Sequence, residues 1–252
     1  MNDSAHEAFL PLSTSAEEGQ RRAAVALLPV GSFEQHGPYL PLATDTVVAC
    51  TIAGALAAAY RVLRLPPITI SCSHEHEGWP GTVSISAATL HALVGDVAAS
   101  LRRAGIGKLV VVNGHGGNYV LGNVVQEANA AAGEPVMALF PGPQEWESAM
   151  AAAGVQTSAW SDMHAGELET SLLLHAHPHL VRPGYEAGDH LCDDRRHLLT
   201  LGMAGHTRSG VVGRPSLASA RKGEKVLGHL VELFADCLAV LGGPDGQEGT
   251  GS

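Results

Sequence analysis

KLVVVNGHGGN, residues 108–118, carries the reading of the fold. Leu109 to Val112 are apolar without a break, so a strand here buries both faces instead of alternating core with solvent. The run stops at Asn113-Gly114, and NYVLGNVVQEANAAAG (118–133) continues with helical periodicity up to a Gly stop. A doubly buried strand feeding a helix is half of a β-α-β unit. Sheets built from such units are parallel and covered by helices on both faces.

The same pattern extends outward. AAVALLPVG (23–31) reads as a second buried strand, and DTVVACTIAGALAAAY (45–60) as an Ala-rich helix after it. RVLRLPPITISC (61–72) is extended and broken by Pro66 and Pro67. SAATLHALVGDVAASLRRAG (86–105) is an amphipathic helix with Ser86 as N-cap, and PVMALF (135–140) is a further strand. GELETSLLLHAH (166–177) and SLASARKGEKVLGHLVELFADCLAVLG (216–242) are helical. No repeat or linker divides the chain. The expected architecture is therefore α/β, a single three-layer α/β/α domain with a mostly parallel sheet over 21–241. A flexible segment, 1–20, precedes it and a disordered Gly-rich tail, 242–252, follows.

Composition narrows the partners. The 252 residues carry 15 basic and 25 acidic side chains, a net charge of −10, which disfavours nucleic acid and anionic membrane. No run approaches the roughly 18 apolar residues of a membrane helix, and MNDSAHEAFLPLS has neither the basic nor the apolar region of a secretory signal. Cys50, Cys72, Cys192 and Cys237 are far apart with no CxxC pair, which fits reduced thiols in a cytoplasmic protein.

Chemistry concentrates at the ends of the strands. In GSFEQHGPYLPLATDT (31–46), Glu34 and His36 are two residues apart and share a side if the strand frays on, while a stiff Gly/Pro loop returns the chain to Asp45. Asp45 reads either as a cap of the 45–60 helix or as a cation ligand. His115 lies in the Gly-rich turn after the 108–114 strand, where ligands of open α/β sheets bind. That turn matches neither G-x-x-x-x-G-K-[ST] nor G-x-G-x-x-G, which disfavours a nucleotide site. WSDMHAGELETS (160–171) packs His164, Glu167 and Glu169 ahead of an apolar helix, where dipole-favoured acids are the plainer reading. SCSHEHEGWPGTVSIS (71–86) lacks the second His of H-E-x-x-H and reads as a pocket wall presenting Ser73 and Trp79, or as an exposed turn. HAHPH (175–179) is a helix stop, and no G-x-S-x-G offers a serine nucleophile.

Taken together, LPVGSFEQHGPYLPLATDT, VVVNGHGGN and HAGELETS resemble the creatininase family of metal-dependent amidohydrolases, in order over about 25–240. The resemblance implies two divalent ions per subunit (Zn, Mn or Fe(II)) and a closed homo-oligomer, often a hexamer. It implies hydrolysis of a C–N bond: the creatinine ring, a formamide in archaeal flavin and deazaflavin synthesis, or the mycofactocin precursor peptide. By resemblance, Glu34 and His115 hold one ion and His36 the other, with Asp45 bridging. Creatininase proper has H-Y-E-N where this chain has His115-Gly116-Gly117-Asn118, so the last carboxylate passes to Glu169 or, second, Glu167. Trp160 and His164 keep the Trp-x-x-x-His spacing, but Ser161 stands where an Asp is used for substrate. Both departures point away from creatinine, and the general look of the chain, including RSGVVGRPSLASA (208–220), is closer to the mycofactocin-peptidase and formamide-hydrolase branches.

The expected mechanism is attack by a metal-activated water on an amide carbonyl. His164, or whichever of Glu167 and Glu169 is left free, protonates the leaving nitrogen, and Trp79, Trp160 and the Gly116 backbone shape the pocket for a small-molecule or short-peptide amide. The segment 141–160 is expected to lid the site. The competing reading is a non-catalytic binding protein that keeps the metals for stability.

Overall fold

Val25–Val30 (β1), Leu63–Arg64 (β2), Lys108–Asn113 (β3) and Met137–Phe140 (β4) form one parallel sheet in the order β2-β1-β3-β4. These elements come from a computed structural model that describes residues 9–242. Every residue of β1 is buried, as the unbroken apolar run requires. Alternate residues feed opposite layers. Leu27, Val110, Val112 and Phe140 pack under the helices Thr44–Ala59 (α2), Pro143–Ala153 (α5), Glu167–Ala176 (α6) and Ala220–Val240 (α8). Ala26, Leu28, Leu109 and Val111 pack under Ala87–Arg103 (α3) and Val120–Ala132 (α4). Each fully buried Leu or Val adds about 1.5–3 kcal/mol, so both faces of the sheet are needed to hold the domain.

Local signals set the helix ends. The Ser86 hydroxyl accepts from Thr89 N–H at the start of α3, and Ser219 accepts from Lys222 N–H at the start of α8. On α8, Val226, Leu230, Phe234 and Leu238 form a buried stripe at four-residue spacing.

Register positions the site. Val30 lies opposite Asn113, so β1 and β3 end level and their following loops leave from one edge. Gly31 and Gly114 let the first turn of α2 close onto that edge. A Cβ on Gly114 would collide with Asp45 O and come within 3.1 Å of Ala49 N, and one on Gly31 would collide with Thr46.

Two expectations are corrected, on 15–21 and on 141–160. Residues 15–21 are not a flexible leader: Ser15–Arg21 is a helix (α1), because Thr14 and Glu17 cap its first turn reciprocally. Residues 1–8 and 243–252 of the expected flexible ends lie outside the described residues. The run 61–72 is extended and broken at its prolines as expected: it pairs at Leu63–Arg64 and again by one bridge from Ile68 to Val30, since Pro66 and Pro67 have no N–H to donate. The segment 141–160 is not a lid. Its first part is α5, held on the outer layer by Ala149 and Ala153 in the core beside α8, and only Trp160 reaches the site. Among the described residues no helix is long and apolar enough to cross a membrane, and the four cysteines are free.

Candidate metal centre

Glu34 is fully buried just beyond β1, its Oε2 accepting the Ser32 hydroxyl at 2.7 Å. His36 follows, with Nε2 3.0 Å from Asp45 Oδ1. Asp45 stands in the first turn of α2 but caps nothing, for the N-cap is Ala43 without a side-chain bond. Its other oxygen, Oδ2, is 3.1 Å from Nδ1 of His115, which enters from the turn after β3. Glu169, in the first turn of α6, brings Oε1 to 3.9 Å from His36 Nε2 while Oε2 accepts Ala165 N–H at 2.6 Å. His164 stacks 4.1 Å from His36 between ring centres. Ligand atoms within 4.8 Å of one another form the sets Glu34/Asp45/His115, His36/Asp45/Glu169, Glu34/His36/His164 and Glu34/Glu75/His76.

Carbonyl partners fix the imidazole tautomers, because a carbonyl only accepts. His36 donates Nδ1–H to Glu34 O at 3.1 Å, His115 donates Nε2–H to Cys72 O at 2.8 Å, and His164 donates Nε2–H to Gln35 O at 2.6 Å. In the neutral rings the lone pair is then left on Nε2 of His36 and Nδ1 of His115, both facing Asp45, and on Nδ1 of His164, facing Glu34, while His115 Nε2 also lies 3.2 Å from Glu34 Oε2.

The electrostatics demand positive charge. Burial, and then the Asp45 charge, push Glu34 up to about 8. Against its own burial, Asp45 is held well below the carboxylate range by His36 and His115. Burial opposes charge on His36 and His115 too, yet Asp45 raises the first well above 6.5, and Glu34 with Asp45 raises the second. Burial and the His36 charge lower His164 to about 4. Glu34 Oε1 and Asp45 Oδ2 are buried with no hydrogen-bond donor. Orphaned carboxylate oxygens facing imidazole lone pairs fit a divalent cation: carboxylate and imidazole donors suit Zn, Mn or Fe.

Not every expected residue joins the cluster. Glu167 turns away: Gln156 N–H, Thr157 N–H and the Thr157 hydroxyl donate to it, and Lys222 Nζ binds it at 2.6 Å, so its charge is spent joining α6 to α8. Ser73 is buried behind Glu34, 2.7 Å from the Ser32 hydroxyl, and braces that acid instead of facing substrate. Trp79 lies outside the cavity wall, whereas Gly116 and Trp160 are part of it.

The sequence reading passed over Glu75, His76 and Gln35. The Gln35 amide donates to Gly210 O at 3.2 Å and to His76 Nδ1 at 2.9 Å while its oxygen accepts Gly37 N–H. His76 is thereby a neutral ring with its proton on Nε2, which lies 3.2 Å from Glu34 Oε1 without forming a hydrogen bond to it. The signal was present as a His-Glu-His run before the rigid W-P-G-T turn, but it does not follow H-E-x-x-H spacing. The wall opposite the cluster comes from 195–199, where Arg195, Arg196, Leu198 and Leu199 close a cavity of about 460 Å³ with Tyr119, Trp160 and Met163. Arg195 stacks 4.5 Å above the Trp160 ring. No motif marks that segment, and bridges from His164 to Val212 and from His190 to Gly213 bring it there.

A parallel sheet whose strand ends gather carboxylates and imidazoles defines an α/β protein with a metal-binding centre at the carboxyl edge of its sheet. The family model for creatininase, described as creatinine amidohydrolase, matches residues 12–238, and the chain belongs to the creatininase family. It is 36% identical over 225 residues to the mycofactocin precursor peptide peptidase of Mycolicibacterium smegmatis, covering 84% of this chain and 83% of that protein. It is 27% identical over 245 residues to the creatinine amidohydrolase of Pseudomonas putida, covering 85% and 88%. A mutant creatininase described as Zn–Zn type superimposes with a TM-score of 0.74 at 25% identity, over 92% of this chain and 96% of that one.

Proposed function

We propose that this chain is a dinuclear-metal amidohydrolase that cleaves the C–N bond of a short peptide or comparably sized amide. The observation that carries the reading is the double use of Asp45: its two oxygens face His36 and His115 separately, so the sets Glu34/Asp45/His115 and His36/Asp45/Glu169 share it as a bridge. Bound divalent ions supply Lewis acidity and bring the pKa of a water toward about 7.

The remaining work falls to side chains. Glu34, His36, Asp45, His115 and Glu169 hold the ions. His164 keeps its Nδ1 lone pair on the cluster side, placed to take a proton from the attacking water and return it to the leaving nitrogen. The inward Nε2–H of His76 offers a donor to the carbonyl oxygen as charge develops there. Tyr119, Trp160, Leu198 and Leu199 give an apolar bed and exclude water.

A peptide-type amide is favoured over creatinine for two reasons. Position 117 is Gly where creatininase proper has Glu, and the peptidase relatives are more similar than the creatinine amidohydrolase. The reading extends to a closed homo-oligomer, to be measured by light scattering, and to a reducing, cytoplasmic setting supported by four free cysteines.

The test is a screen of formamides, lactams and short peptides with Mn or Zn added, together with metal analysis of His36→Ala and Asp45→Ala. Hydrolysis that stops on chelation and in both variants is expected. Stoichiometric metal surviving both substitutions overturns the mechanism.

A further inference from the structure

Glu75 reaches the centre from a loop that neither strand end explains. It lies in the single 3-10 turn His74–His76, and its side chain is 9% exposed on the cavity wall. Its Oε1 is 3.4 Å from His115 Nε2. The space it fills belongs geometrically to residue 117. A Cβ on Gly117 would collide with both Glu75 Oε1 and His115 Nε2, and would sit 2.8 Å from Glu75 Cδ. Any side chain there would wedge between the carboxylate and the imidazole. The loop is pressed from behind as well, since a Cβ on Gly202 would come within 2.9 Å of Glu75 O.

His115 is the ring this contact governs. Its Nε2–H donates to Cys72 O at 2.8 Å, Glu34 Oε2 lies 3.2 Å from the same nitrogen, and Nδ1 faces Asp45. A carboxylate sharing that proton makes the opposite nitrogen more basic and resists rotation of the ring. Acids placed behind metal-binding imidazoles act in this way.

We propose that Glu75 is a positioning residue of the metal centre, its carboxylate lodged in the space left by Gly117 and holding His115 with Nδ1 turned toward the cation. The inference rests on the metal reading above. It explains in one contact why the H-G-G-N turn has no side chain at 117 and why an acid is buried in the 71–86 loop. Outer partners of metal ligands typically change affinity by about 10–100-fold. Glu75 shares the His115 Nε2 proton with Cys72 O and Glu34 Oε2 and sits farthest of the three, at 3.4 Å, so the low end, about tenfold, applies.

The experiment is titration of the metal-free full-length protein with Mn²⁺ and, separately, Zn²⁺, following affinity, stoichiometry and melting temperature. Glu75→Gln keeps the shape and removes the charge. It is expected to weaken binding about tenfold with the native number of ions and an unshifted metal-free melting temperature. Gly117→Ala is expected to weaken binding at least as much, by displacing Glu75 and pressing on His115. Native affinity in Glu75→Gln or in Gly117→Ala overturns the inference, as does loss of a whole ion in Glu75→Gln, which would make Glu75 a ligand. Native protein that binds neither metal overturns the metal reading itself, whereas native binding with an unaffected Glu75→Gln overturns this inference alone.

Discussion

Asp45→Asn is the sharpest perturbation of this centre, because one nearly isosteric change removes the carboxylate that faces both His36 and His115 and is proposed as the bridge. Asp45 is 1% exposed and contacts His36 Nε2 at 3.0 Å and His115 Nδ1 at 3.1 Å. Without metal, the substitution takes away the anion that supports both imidazolium rings. The rings can shed their protons, so the loss is nearer the cost of a buried unsatisfied partner, about 1–3 kcal/mol, than that of a stranded charge. With metal the contrast is larger. Native protein at a hundred times the dissociation constant gains about 2.7 kcal/mol. At about 2–4 °C per kcal/mol for a chain near this size, that is a rise of about 5–11 °C in melting temperature. In Asp45→Asn the bridge charge is gone and the rise should vanish. Differential scanning fluorimetry with and without MnCl₂, beside elemental analysis of dialysed protein, measures both quantities. A variant that keeps stoichiometric metal and the native rise refutes the shared-ligand argument.

Other consequences follow from the same geometry. His36 and His115 are raised above 6.5 and Glu34 is raised to about 8, so the metal-free fold binds these protons more tightly than the unfolded chain does. Their stabilisation is full below the unfolded values and fades as pH rises through the folded ones. The metal-free melting temperature should therefore fall between pH 6.5 and 8 while metal affinity rises, with proton release detectable by calorimetry in two buffers. A metal affinity that is flat across that range contradicts the assignment. Glu167→Gln should leave metal content native but destabilise the fold by about 3 kcal/mol, because Lys222, whose side chain is 16% exposed, loses its partner. Lost metal with an unchanged melting temperature would return Glu167 to the centre. Gly114→Ala should cost about 1–3 kcal/mol by overpacking and also weaken metal binding, since the new methyl meets Asp45 O and Ala49 N. Native metal binding in that variant would show that the seat of α2 on β3 does not set Asp45.

The unbroken apolar runs at 25–30 and 109–112 were enough to specify a parallel sheet covered on both faces, because no half-exposed strand tolerates them. Glu34, His36, Asp45 and His115 were legible for a related reason: rigid Gly/Pro-rich loops at strand ends bring side chains to one crevice whatever the rest of the chain does. Tertiary structure decided what local pattern leaves open. Glu167 and Glu169 are two residues apart in the first turn of α6, and only the packing of α8, which brings Lys222 to the first, leaves the second to His36. Helix α5 was missed because a short Ala-rich segment owes its burial to α8 more than to its own periodicity. Glu75 and the 195–199 wall reach the centre across long loop closures. Spacing along a chain reports neighbours on one element, whereas a side chain that fills the room left by a distant glycine is fixed only when the loops have packed.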